Sequence, residues 1–279
     1  MHNRVELPPE GEGRRPNSGG ATSRPVVVRH FPISIDAQAY IDLAHRSDVR
    51  ARAQQIRHDL GDPGTIMLGV DRLDYTKGIG HRFAAYAELL AEGELDVHDT
   101  VLVQIASPSR ERVESYKALR DEIELTVGRV NGDYGTIRHS AINYLHHGYP
   151  REEMVALFLA ADIMLVTALR DGMNLVAKEY VASRVDDDGV LVLSEFAGAA
   201  DEMQQALLVN PHDIEGLKRA VLAAVHMPRG ERRQRMRALR ARVIDHDVER
   251  WSKDFLTALA EARPSATARQ LAAADQDQP

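Results

Sequence analysis

Short apolar runs at 26–29, 65–70, 101–106, 142–145, 162–167, 190–194 and 206–209 alternate with longer stretches in which apolar residues recur every three or four positions. The runs are rich in β-branched residues and nearly continuous, the pattern of strands covered on both faces. The longer stretches predict helices over 36–45, 47–59, 79–91, 109–127, 151–160, 174–184, 213–226 and 229–243. Strand–helix alternation implies right-handed crossovers between parallel strands. The expected fold is therefore α/β, a doubly wound parallel sheet of Rossmann-like type. Pro63-Gly64 and Gly148-Tyr149-Pro150 mark turns between elements.

The two ends lack this periodicity. Residues 1–25 carry Pro8-Pro9, Arg14-Arg15-Pro16 and Ser18-Gly19-Gly20, and residues 263–279 are rich in Ala, Gln and Asp. Such segments bury too little apolar surface to offset their ordering entropy, so both are expected to be disordered tails around one domain at 26–262. Asn17-Ser18-Gly19-Gly20 reads as linker rather than phosphate loop, because no strand precedes it and Arg24-Pro25 follows where a helix would run.

Composition narrows the function classes. With 279 residues, 44% of them hydrophobic, the chain can build one large core or two small ones, and at 5% aromatics that core is aliphatic. The formal net charge of −7 argues against a nucleic-acid or membrane partner. The absence of cysteine excludes disulfides and thiolate metal sites. No apolar run approaches the roughly 20 residues of a membrane span, and Met1–Glu6 lacks a signal-peptide core, so a cytoplasmic protein is expected. The arginine-rich run 229–242 has Met236, Leu239 and Val243 at helical spacing and reads as the solvated face of an amphipathic helix. The histidines show no metal-ligand spacing, and adjacent His146-His147 cannot face one ion, so no metal is expected.

Two charged loops, each just after a predicted strand, carry the candidate chemistry. Asp71-Arg72-Leu73-Asp74-Tyr75-Thr76-Lys77-Gly78 follows the run 65–70. Its Arg72 can grip a phosphate with a planar fork and Lys77 adds a mobile charge. The alternative is that both cations pair with Asp71 and Asp74. Arg170-Asp171-Gly172-Met173-Asn174-Leu175-Val176-Ala177-Lys178-Glu179 follows the run 162–167 and opens a helix. Free N–H groups and the helix dipole favour an anion there. Asp171 can serve as a ligand contact, as an N-cap, or as both through different oxygens. Glu179, one turn beyond Leu175, could accept two ribose hydroxyls or pair with a neighbouring cation. In an open α/β sheet, ligands bind outside the carboxyl ends of the strands, where these loops lie. Together they describe a pocket for a nucleoside diphosphate.

These loops, with Gln104–Arg110, Gly128–Gly132 and Val190–Ala200, resemble the trehalose-6-phosphate synthase family of retaining glycosyltransferases, over about Val26 to Leu259. That family has a GT-B fold of two Rossmann-like domains. The resemblance implies its C-terminal, donor-binding half, with His30–Asp36 crossing from the first domain. It implies UDP-glucose and glucose 6-phosphate as substrates and no cofactor, although the residues alone fit UDP, ADP or GDP. It assigns the diphosphate to Arg72, Lys77 and the backbone of Leu175 and Val176, with Gly172, Asn174 and Ala177 completing the turn. Asp171 would meet glucose hydroxyls and Glu179 the ribose, with Lys178 beside them, behind the ligand or at the surface. Tyr149 would border the uracil, by its backbone or by stacking, or else merely cover the domain edge. Arg110, expected to begin helix 109–127, would reach the acceptor phosphate or pair with Glu114. Arg72, Lys77 and Asp171 are the expected catalytic residues. The segment around Trp251 and Phe255 resembles the family's final helix. The acceptor half of the cleft has no counterpart in residues 1–29, so little activity is expected of the isolated chain. A homo-oligomer or a separate N-terminal half is then an expected partner, and a catalytically inactive nucleotide-binding or regulatory subunit is the alternative function.

Overall fold

Six parallel strands form one sheet in the order β3-β2-β1-β4-β5-β6. They are β1 (Thr65–Arg72), β2 (Thr100–Ser107), β3 (Ile142–Leu145), β4 (Ile163–Val166), β5 (Val190–Ser194) and β6 (Leu207–Val209). The computed structural model describes residues 28–261, so both expected tails and the Asn17–Gly20 stretch lie outside the described residues. The β1–β2 register runs from Thr65 opposite Thr100 to Arg72 opposite Ser107, and β1 meets β4 at Met67 opposite Ile163. Strand order reverses between β1 and β4. The loops that follow these two neighbours therefore open side by side, at the switch point where such sheets form their crevice.

Helices cover both faces. Helices α1 (Ala37–His45), α2 (Ser47–Asp59), α5 (Arg151–Ala160), α6 (Leu175–Ser183) and α8 (Arg229–Asp245) bury Tyr40, Val49, Phe158, Tyr180 and Leu239 against Ile66 and Leu68. Helices α3 (Ile79–Ala91), α4 (Glu114–Tyr134) and α7 (Ile214–Val225) bury Phe83, Ile123 and Leu217 against Met67, Leu102 and Leu165. Alternate strand residues point to opposite cores, which is why these strands read as unbroken apolar runs. Helix α9 (Val248–Glu261) ends the described chain. Its Trp251 donates from Nε1 to the Phe31 carbonyl at 3.2 Å, and Phe255 meets Phe31 edge-on with centroids 5.3 Å apart. No helix among the described residues is long and apolar enough to cross a membrane.

Two predicted elements need correction. Val28 and Arg29, expected in a strand at 26–29, have no regular secondary structure, and residues 26 and 27 lie outside the described residues. Charged Arg29 and His30 break the apolar run, and Pro32 lacks a ladder donor. The helix expected at 109–127 is α4, Glu114–Tyr134. Apolar positions Ile123, Val127, Val130 and Tyr134 carry its periodicity past 127, whereas Gly128 and Gly132 look like breakers in the sequence. A Cβ at either glycine would meet nothing within 4 Å, so neither position interrupts packing.

Candidate functional site at the carboxyl ends of β1 and β4

The loop after β1 is short and heavily cross-braced. Asp74 caps a 3-10 turn at Tyr75–Lys77, and its Oδ1 accepts from the Thr76 backbone N at 2.9 Å and from Thr76 Oγ1 at 2.8 Å. Burial pushes the Asp74 carboxyl up, but the hydrogen bonds from Thr76 and Tyr116 and the charge of Arg72 outweigh it and hold it below the usual carboxylate range. Gly78 then turns the chain into α3 with φ of +66°. A Cβ there would lie 2.2 Å from the Thr167 carbonyl oxygen, so only glycine lets this loop close onto the end of β4. Leu169 N donates to Thr76 O at 2.7 Å, tying the two loops through their backbones.

Side chains make the same link. Lys77 Nζ lies 2.7 Å from Asp171 Oδ2, with the two side chains only 13% and 17% exposed. That oxygen also accepts from Asn174 Nδ2 at 3.1 Å. Neither cation of the first loop pairs with Asp71 or Asp74. Asp71 is buried against Arg82, while Arg72 is exposed and makes no ion pair with a described residue. Arg170, at the start of the second loop, is exposed as well.

The second loop opens α6 differently from the N-cap alternative for Asp171. The cap is Asn174, in the left-handed region with φ of 76°, and its side chain accepts from Ala177 N at 3.0 Å. That leaves the first-turn amides of Leu175 and Val176 without an acceptor among the described hydrogen bonds. Gly172 is exposed, with open space where a Cβ would project. The rim thus offers an exposed guanidinium, a lysine shared with a carboxylate, and two unsatisfied amides, a set suited to a polyanion.

The remaining candidates separate. Glu179 is half-buried; burial pushes its carboxyl up, against a hydrogen bond with Tyr40 and the charge of Arg151. Arg151 lies over the Tyr40 ring, 5.4 Å from its centroid. For Lys178 the surface alternative is overturned: it is 1% exposed, and its ammonium is held by Glu202 Oε2 at 3.0 Å and the Ile33 carbonyl at 3.1 Å. It ties α6 to the segment before α1 and presents no free cation. Arg110 does not begin a helix; it stands in a turn with φ of +49° and donates to Tyr116 Oη at 2.8 Å. The pairing with Glu114 is not made, since Glu114 pairs with Lys117 at 3.1 Å. Tyr149 is half-buried, its ring 4.4 Å from His147. Among the described residues, the acidic cluster close enough to share a cation is Glu88, Glu92 and Glu215, and the Lys218 ammonium occupies it, 3.3 Å from Glu88 and 2.9 Å from Glu215. The arginines of α8 pair with the 187–188 turn, Arg237 with Asp187 at 2.7 Å and Arg232 with Asp188 at 3.2 Å.

Comparison with known proteins fixes the family. The profile of glycosyltransferase family 20 matches residues 13–261. The chain belongs to this family. It is 59% identical over 242 residues to a trehalose-6-phosphate synthase of Mycobacterium avium, covering 87% of this chain and 49% of that protein. The chain spans about half the length of the curated relatives it matches, in their C-terminal half. A solved α,α-trehalose-phosphate synthase (UDP-forming) from Burkholderia xenovorans, in complex with glucose 6-phosphate, superposes with a TM-score of 0.79 at 37% identity, over 82% of this chain and 51% of that one. A structure from E. coli bound with UDP-2-fluoro glucose gives 0.77 at 36% identity, over 82% and 51%.

Family 20 membership leaves a buried layer beneath the loops that the sequence reading missed. Arg82 is 1% exposed; its Nη1 donates to Asp71 Oδ2 at 2.8 Å and Gln104 Oε1 at 2.5 Å, and its Nε to Thr167 Oγ1 at 3.2 Å. One guanidinium therefore clamps the carboxyl ends of β1, β2 and β4. A Cβ at Gly69 would lie 2.0 Å from Arg82 Nη1, so that glycine makes the room. A signal was present in the sequence. Arg82 falls on the same face of its helix as Ile79, Phe83 and Tyr86, and Gln104 interrupts an apolar strand.

Proposed function

We propose that this chain supplies the donor-binding wall for glucosyl transfer from UDP-glucose to glucose 6-phosphate, forming trehalose 6-phosphate with retained anomeric configuration. The observation that carries this reading is the Lys77–Asp171 contact, which joins two charged loops at the switch point of a family 20 chain. Arg72, Lys77 and the Leu175 and Val176 amides hold the diphosphate. Asp171, released from Lys77 when phosphate draws that ammonium away, accepts hydroxyls of the transferred glucose. Glu179 accepts the ribose hydroxyls and the turn at Tyr149 borders the uracil. The Burkholderia xenovorans complex with glucose 6-phosphate and the E. coli complex with UDP-2-fluoro glucose support this substrate pair.

The chemistry is electrostatic. The acceptor hydroxyl attacks on the face from which UDP departs, and the departing phosphate oxygen takes the hydroxyl proton. Cations and amides aimed at the diphosphate stabilise the charge that grows on it as the glycosidic bond breaks. Holding donor and acceptor in one cleft lowers the barrier by roughly 7–11 kcal/mol. Arg110 meets the acceptor phosphate, and a facing domain or partner chain completes the acceptor wall. Saturation-transfer NMR with UDP-glucose tests the reading. Strong transfer to uracil and ribose protons, displaced by inorganic diphosphate, is expected; no transfer from the folded chain would overturn it.

A further inference from the structure

Arg110 and the phosphate-facing loop after β1 are joined by an unbroken chain of hydrogen bonds through a residue to which no role has been given. Tyr116 lies in the first turn of α4 and is 5% exposed. Its hydroxyl accepts from Arg110 Nη1 at 2.8 Å and donates to Asp74 Oδ2 at 3.0 Å. The Arg110 guanidinium also lies over the Tyr116 ring, 5.5 Å from its centroid. Asp74 passes the connection on through its other oxygen, which accepts twice from Thr76, and Thr76 O accepts from Leu169 N at 2.7 Å. Each donor and acceptor in this chain is fixed. Arginine only donates, an ionised Asp74 only accepts, and the phenol is left to do one of each. The Tyr75 ring meets Tyr116 edge-on with centroids 6.1 Å apart, bracing the turn from outside.

We propose that Tyr116 is a positioning residue, setting Arg110 and the Asp74–Lys77 turn as one unit through its single hydroxyl. The inference deepens the donor-and-acceptor reading given above and rests on it for the identity of the ligands. Arg110 needs such support. Its backbone has a positive φ, rare for a residue with a side chain, and the guanidinium would swing freely in solvent without the phenol. Only one of its five N–H donors is given to Tyr116, so the rest remain for a phosphate while the anchor holds. On the other side, Tyr116 supplies one of three hydrogen bonds that keep Asp74 ionised and the turn closed. The turn in turn sets where Lys77 emerges.

The test is Tyr116→Phe in the full chain, which keeps the ring and deletes the hydroxyl. Amide hydrogen exchange without ligand is the first measurement. Thr76 and Leu169 amides are expected to exchange at least about fivefold faster, with Leu68 and Val103 in the sheet unchanged. Unchanged protection at Thr76 and Leu169, or an equal loss throughout the sheet, would overturn the proposal. Calorimetry is the second. UDP and inorganic diphosphate are both expected to weaken by a similar factor of about five to ten, because the diphosphate-facing turn is what loosens. Equal affinities in wild type and Tyr116→Phe would overturn the positioning role. UDP binding absent from wild type would instead sink the donor reading, while the exchange result still judges Tyr116.

Discussion

Replacing Arg82 with Met should destabilise the fold far more than a typical substitution. The guanidinium is 1% exposed and holds Asp71, whose side chain is 3% exposed, together with Gln104 and Thr167. Methionine fills much of the volume, so the loss is mainly electrostatic. It leaves a buried carboxylate without its counter-ion and the Gln104 oxygen without its donor. Removing one partner of a buried pair costs about 3–5 kcal/mol, chiefly as the penalty of the charge left behind. Taking a urea m-value of about 2.5 kcal/mol/M for a domain of this size, the unfolding midpoint should fall by about 1–2 M. The second substitution is the discriminating one. Asp71→Asn in the Arg82→Met background removes the stranded charge and keeps a polar partner for Gln104, and should recover about half of the loss. Urea unfolding followed by circular dichroism measures both variants. A loss under about 1 kcal/mol for Arg82→Met, or an Asp71→Asn change that makes it worse, would refute the reasoning.

Gly78→Ala should cost more than about 1 kcal/mol in the same assay, because φ is +66° and the new Cβ meets the Thr167 carbonyl; a neutral effect would contradict the closed-loop geometry. Glu179 gives a pH signature. Burial raises its folded pKa, so its contribution to stability is fully present below the usual value near 4.5 and is lost as pH rises through the higher folded value. Glu179→Gln does not titrate there, so its stability relative to wild type should rise between pH 4 and pH 7; a flat difference in thermal midpoint would refute the burial argument. Glu202→Gln should destabilise by up to about 3–5 kcal/mol while leaving UDP affinity per folded molecule unchanged, because it strands the buried Lys178 ammonium away from the loops; a UDP-specific loss would return Lys178 to the site.

The sheet was legible because buried parallel strands need apolar side chains on both faces, as in Thr65–Val70 and Val190–Ser194. The two loops were legible because glycine, charge and a following helix coincide after a strand. Side-chain partners were not. Asp171 and Asn174 are both good N-caps by type; the cap is Asn174, while Asp171, bridged through its backbone to Ala197, engages Lys77 from far away in sequence. Lys178 fits a place behind the ligand or at the surface equally well until Glu202 and the Ile33 carbonyl are folded against it. Arg110 follows Pro108 and looks like a helix start, but a turn held at Arg110 O delays α4 to Glu114. In each case local sequence fixed the residue type, and a tertiary contact decided its partner.

Titration calorimetry of UDP against the folded chain, with Arg72→Ala and Lys77→Ala alongside, tests the central claim most directly. Wild type should bind. Each substitution should weaken binding by about 1.5–3 kcal/mol, the scale of a charge-assisted hydrogen bond. Lys77→Ala should lie at the lower end, because wild-type Lys77 must give up its contact with Asp171 to meet the diphosphate, whereas Arg72 makes no ion pair with a described residue. No UDP binding by well-folded wild type, or equal binding by all three proteins, would contradict the account.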